Sequence, residues 1–286
     1  MSILVTGANG QLGNELHKLS AQHNNWKFFF CDRNKVDITD KEAITAFVQE
    51  NKITAIINCA AYTAVDLAES ETAKARTINV QGAKNLAQVT AENNLKLIHV
   101  STDFVFDGKH YLPYVESDTP NPLSVYGETK LQGEKEVLKA CSNAIVIRTS
   151  WLYSAYGTNF VKTMQRLGNE RTQLGVVFDQ IGTPTWTGDL AQAILEILSQ
   201  FKENTSGIYH FSNEGVASWY DFAVEIMELS KIDCKVLPIE AKEYPTPAYR
   251  PAYSVLNKSK IKRDFNLKIP YWKVSLKNCI EQITEL

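Results

Sequence analysis

Short apolar runs alternate along the chain with segments whose apolar residues return every three or four positions. The runs at 3–5, 27–31, 55–58, 97–100 and 144–147 read as buried strands, and a further one at 173–178 reads as a sixth. Between them, Leu12, Leu16 and Leu19 mark one helix, and Ile44, Phe47 and Val48 mark another. Thr39-Asp40-Lys41-Glu42 supplies a capping box for the second of these. Val80, Ala83, Leu86, Ala87 and Thr90 give a helix over 79–93, and Leu131, Val137, Leu138 and Cys141 give one after Lys130. Strands alternating with helices predict an α/β fold built on a doubly wound parallel sheet. Beyond residues 182–185 the alternation loosens. Before that point a helix is predicted near 159–167; after it, helices near 189–201, 219–229 (capped by Ser218 with Asp221), 259–265 and 274–286, with strands near 207–211 and 236–239. The expected division is a dinucleotide-binding domain over 1–155, extended by a strand and helix from 156–205. A smaller substrate lobe over 206–286 is interleaved with it.

The first strand runs into Gly7-Ala8-Asn9-Gly10-Gln11-Leu12-Gly13, a turn with glycines at steps of three that opens a helix. Such a turn lets backbone approach a pyrophosphate while the helix directs its unpaired N–H groups at it. A lone glycine triplet is also a plain tight turn, so the next strand matters. It ends in Asp32, about 20 residues beyond, where a carboxylate can hold an adenosine ribose. Asp32 favours a free 2′-hydroxyl, whereas the neighbouring Arg33 suits a 2′-phosphate, so NADH and NADPH both stay open.

The 286 residues carry a formal net charge of -2, with both signs mixed throughout, which gives nucleic acid no basic stripe to bind. Met1-Ser2-Ile3 leads directly into the first strand with no secretory signal pattern, and no apolar run reaches the roughly 20 residues that a bilayer requires. The expectation is a cytoplasmic protein with no membrane partner. Cys31, Cys59, Cys141, Cys234 and Cys279 are scattered and read as reduced thiols. The histidines show no metal-ligand spacing, and His99, within an apolar strand, reads as a core residue rather than a base.

Candidate chemistry lies at the predicted strand ends, the edge where such sheets hold ligands. Ser101-Thr102-Asp103 ends the fourth strand, Ala60-Ala61-Tyr62 follows the third, and Trp151 follows the fifth. Tyr126 and Lys130, four apart, share a helix face. An ammonium beside a phenol lowers its pKa from about 10, which makes the pair a candidate proton donor. In the later lobe Arg250 is a candidate for a substrate phosphate.

Taken together, these residues resemble the extended short-chain dehydrogenase/reductases, with a Rossmann-type sheet. More narrowly they resemble the dTDP-4-dehydrorhamnose reductase family. Four stretches carry the resemblance: Ala60-Ala61-Tyr62-Thr63-Ala64-Val65-Asp66 with Glu69 and Glu71, Ser101 through Phe106, Arg148-Thr149-Ser150-Trp151, and Tyr244-Pro245-Thr246-Pro247 before Arg250-Pro251. It implies that Gly10, Gln11 and Leu12 lie under the pyrophosphate, with Asp32 or Asp37-Ile38 at the adenosine and Ala60, Ala61 and Tyr62 along the cofactor. Lys130 is implied to bind the nicotinamide ribose and tune Tyr126, while Thr102 and Asp103 hold a nucleotide-linked sugar and Trp151 packs beside it. The implied reaction is NADPH- or NADH-dependent reduction of a dTDP-linked 4-keto-6-deoxy sugar. Many members carry tyrosine where this chain has Phe104. Some pair into homodimers with Mg2+ held by acidic residues, for which Glu15 fits the first position. A non-catalytic alternative is a cofactor-binding regulatory subunit like that of methionine adenosyltransferase, and a related epimerase is another.

Overall fold

The computed structural model describes residues 1–202 and 205–285; position 286, expected to close the last helix, lies outside them. Strands β1 (Ser2–Thr6), β2 (Lys27–Cys31), β3 (Ala55–Asn58), β4 (Lys96–Thr102) and β5 (Ala144–Thr149) form one parallel sheet with Gly207–His210. The order across it is Gly207–His210, β5, β4, β3, β1, β2, so the chain changes direction between β1 and β3. That reversal opens a crevice at the carboxyl ends of the strands.

Successive strand residues face opposite ways, and two apolar layers result. On one face Ile3, Val5, Ile57, Ile98 and Ile147 meet Leu12 and Leu16 of the helix Gln11–Ser20 and Leu190, Ile194 and Leu198 of the helix Thr187–Gln200. On the other, Leu4, Ile56, Leu97 and Val146 meet apolar residues of the helices Lys41–Glu50, Ala83–Glu92 and Val125–Ala140. Asp40, rather than Thr39, caps the second helix, its carboxylate accepting from Ala43 N at 3.0 Å, while Thr39 turns its hydroxyl to Asp37. His99 is buried beside Asn58, with 2.9 Å between Nδ1 and the amide nitrogen, and burial holds its pKa well below 6.5. No helix among the described residues is long and apolar enough to cross a membrane.

The strand predicted at 173–178 forms, but outside this sheet. Gln173–Val177 pairs in parallel with Lys235–Ile239 alone, and Gly207–His210 takes the place beside β5. The burial pattern gives the reason: Gln173–Val177 alternates exposed and buried residues, as suits a strand covered on one side, whereas β3 and β5 are buried at every position. A third apolar cluster joins Tyr153, Val161, Met164, Leu174, Phe222, Ile226, Trp272 and Leu276. This second core draws on residues from about 151 onward, while Gly207–His210 joins the larger sheet, so the two cores interleave along the chain.

One ion pair is enclosed within the larger unit. Arg148 on β5 binds Glu134 through Nη2 at 2.7 Å and through Nε, with both side chains at most 2% exposed, and Ser101 on β4 donates to the same carboxylate. Removing one member strands a buried charge, whereas removing both leaves an apolar gap. Arg148→Met should therefore cost about 3–5 kcal/mol in urea unfolding, and Arg148→Met with Glu134→Leu should recover most of that loss.

Candidate active site

A cavity of about 690 Å³ occupies the carboxyl edge of the sheet, lined from Gly7 at one end to Trp151 at the other. At its first end Gly7 takes a left-handed φ of 67°, and a Cβ there would stand 2.7 Å from the Ala60 nitrogen. A Cβ on Gly13 would stand 2.5 Å from the Gly7 and Ala8 carbonyl oxygens. Only glycine lets strand, loop and helix come this close. Gly10 is the N-cap and offers no side chain to the first helical turn, so the N–H groups beside Gln11 and Leu12 stay free for an anion.

Asp32, Arg33, Asp37 and Ile38 line the adjoining wall. Asp32 accepts from Lys35 N at 3.1 Å and from the Asn9 amide at 3.2 Å. Arg33 lies at the rim, its side chain 73% exposed, and pairs with Asp37 at 3.0 Å. Burial works against the Asp37 charge, but hydrogen bonds from Thr39 and Arg33 hold its carboxyl below the usual value.

Ala60 and Ala61 line the cavity, but Tyr62 between them and Thr63 does not. Its N–H donates to Asn79 Oδ1 at 2.8 Å, its hydroxyl donates to Glu71 at 2.8 Å, and its ring packs with Ala68 and Ala75.

Thr102, Asp103, Tyr126, Lys130 and Trp151 converge at the far end. Ser124 caps the helix Val125–Ala140, so Tyr126 and Lys130 fall in its first turns over β4. Burial pushes the Tyr126 phenol up to about 12, opposed by the neighbouring Thr102 hydroxyl and reinforced by the Asp103 charge. The expected depression of this phenol by Lys130 is not what the geometry produces. Lys130 is 2% exposed, donates to the Val100 carbonyl at 2.7 Å, and is itself lowered by burial to about 8. Desolvation thus outweighs charge here, and Tyr126 keeps its proton at neutral pH. Burial also raises Asp103 to about 6 against the hydroxyls of Ser254 and Thr102. Phe104 sets its ring edge-on to Tyr126, with centroids 5.5 Å apart.

The donor set fits a dinucleotide with a polar ligand at its reacting end. Gln11, Asp103 and Thr149 line the cavity, and their Oε1, Oδ2 and Oγ1 atoms are buried beneath it with no hydrogen-bond partner within the protein. Each such atom costs about 1–3 kcal/mol until something pairs with it. Trp151 has a left-handed φ of 48°, worth roughly 1–3 kcal/mol of strain for an aromatic residue.

Two expected residues lie elsewhere. Arg250 makes a bidentate pair with Asp66 at 2.8 and 3.0 Å and does not line the cavity, so its fork is already filled. Glu15 is 2% exposed and accepts from Ser154 at 2.8 Å, with Gln282 near, and no cluster of three metal-binding side chains occurs among the described residues. A Glu15 carboxylate buried against Ser154 in this way does not face a cation at the surface. Neither Thr149 nor the Val100 carbonyl stands out by residue type; position is the signal for Thr149, the register partner of Thr102 at the ligand edge.

The family model for the RmlD substrate binding domain matches residues 1–285. The dTDP-4-dehydrorhamnose reductase of Aggregatibacter actinomycetemcomitans is 42% identical over 286 residues, covering 96% of this chain and 97% of its own. That of Escherichia coli K12 is 36% identical, with 99% and 98% covered. Among solved structures, the Bacillus anthracis dTDP-4-dehydrorhamnose reductase in complex with NADP superposes with a TM-score of 0.93 at 39% identity, covering 98% of this chain and 99% of that one. The Clostridium acetobutylicum dTDP-4-dehydrorhamnose reductase gives 0.94 at 44%, with 99% and 100% covered. With a glycine cradle, a protonated tyrosine over a strand-end threonine and this end-to-end likeness, the chain belongs to the RmlD family, that of the dTDP-4-dehydrorhamnose reductases.

Proposed function

We propose that this protein reduces dTDP-4-dehydro-6-deoxy-L-mannose to dTDP-L-rhamnose with a nicotinamide cofactor, NADPH before NADH. The observation that carries the reading is the meeting of Tyr126 and Thr102 at one end of a cavity whose other end is the glycine cradle. A nicotinamide cofactor held here would supply the hydride, a hydrogen with its electron pair, that C4 of the sugar gains on reduction. Tyr126 holds a proton up to about pH 12 and delivers it to the C4 oxygen as negative charge develops there. Thr102 orients that oxygen, and Asp103 and Trp151 hold the sugar. Lys130 presents its ammonium to the cofactor ribose, and the open N–H groups at Gln11 and Leu12 take the pyrophosphate. The B. anthracis relative binds NADP, and Arg33 at the rim suits a 2′-phosphate. A non-catalytic subunit has no use for a proton donor beside a strand-end hydroxyl.

NADPH oxidation by the purified chain with dTDP-4-dehydro-6-deoxy-L-mannose tests the reading directly, and no oxidation would sink it. Tyr126→Phe should lower kcat by roughly a hundred- to ten-thousand-fold, with NADPH affinity by titration calorimetry unchanged. Lys130 carries its charge below about pH 8 and loses it as pH rises through that value, so kcat/KM should fall on the alkaline side. Lys130→Arg, charged throughout, should remove that limb from the pH profile. Arg33→Ala should weaken NADPH binding about tenfold and leave NADH binding nearly unaltered.

A further inference from the structure

Trp151 reaches the cavity wall through a backbone conformation that aromatic residues rarely adopt, with φ at 48°. Such a conformation persists only where the surroundings impose it. Two surfaces press on the indole. One is Gly182, where a Cβ would stand 2.6 Å from Trp151 Cε2, so only bare glycine backbone fits there. The other is Trp219, stacked on Trp151 with centroids 3.6 Å apart and planes within 6° of parallel.

Both surfaces belong to one rigid corner. Gly182 pairs antiparallel with Ala217, and Ile181 with Ser218, immediately before Trp219. Ser218 caps the helix Trp219–Ser230 through a reciprocal capping box with Asp221, which fixes the position of the first helical residue. Phe160, 4.7 Å away between centroids, packs against the Trp219 ring. Trp219 itself does not line the cavity.

We propose that Trp219 is a positioning residue for the reaction: with Gly182 it clamps the Trp151 indole in its strained conformation and so sets the wall against which the sugar lies. The clamp makes the second core, through its helix Trp219–Ser230, a determinant of substrate affinity without touching substrate. This inference rests on the proposed placing of the sugar beside Trp151.

Steady-state kinetics of Trp219→Phe, Trp219→Leu, Gly182→Ala and Trp151→Phe test it, alongside NADPH affinity and circular dichroism. Two stacked indoles couple their transitions, so the wild-type spectrum should carry a split band that Trp219→Leu and Trp151→Phe each remove. Trp219→Leu should raise KM for the sugar nucleotide about three- to tenfold, the equivalent of one aromatic pair, with kcat within about twofold and NADPH affinity unchanged. Trp219→Phe, which keeps a ring on the indole, should lie between Trp219→Leu and wild type, and Gly182→Ala should raise KM while the Trp219 side chain is intact. Combining Trp219→Leu with Trp151→Phe should add little beyond Trp151→Phe alone. A Trp151→Phe effect on KM with none from Trp219→Leu, or fully additive effects in the double variant, overturns the proposal and leaves the reductase reading standing. Wild-type protein that oxidises no NADPH with this substrate overturns both.

Discussion

The Glu134 carboxylate is the point on which the reacting end of the molecule hangs. It sits in the helix Val125–Ala140 and takes hydrogen bonds from Arg148 on β5 and Ser101 on β4, joining three elements deep in the interior. A charge held this deep tolerates little displacement, because its partners have no solvent to fall back on. The helix therefore cannot slide along the sheet. Tyr126 and Lys130, at its start, are set over Thr102 and Val100 by the same constraint.

Burial also decides the chemistry of these groups. Removing water raises a phenol and lowers an ammonium, and both shifts occur here, to about 12 and about 8. A tyrosine in that state is a proton store, which suits a reduction whose product oxygen needs a proton. The unpaired Asp103 Oδ2, Thr149 Oγ1 and Gln11 Oε1 show the same enclosure as a deficit that a polar ligand can fill.

The second core reaches this cavity through Trp151 and Thr158, and Gly182 and Trp219 back the Trp151 indole from behind the wall. Its neighbouring loop is spent otherwise: Arg250 closes on Asp66, tying the 244–251 segment to the start of the short helix Val65–Ala68. A residue chosen for its charge as a phosphate ligand is thus a strut, because a carboxylate of matching geometry lies within reach. Tyr62 is diverted in a similar way, by Asn79 and Glu71.

Local chemistry made much of this legible in the sequence. The glycine turn, the apolar runs of β1 to β5 and the spacing of Tyr126 and Lys130 depend on residues near one another in the chain, so their placing could be read before any folding. The tertiary structure alone decided which strand lies beside β5, since both Gly207–His210 and Gln173–Val177 read as strands and only long-range packing separates them. It likewise decided the charge states at the site, the engagement of Arg250 and Tyr62, and the Trp219 clamp on Trp151. Each of these depends on how much water remains around a group, or on which distant side chain arrives beside it, and neither is written in spacing along the chain.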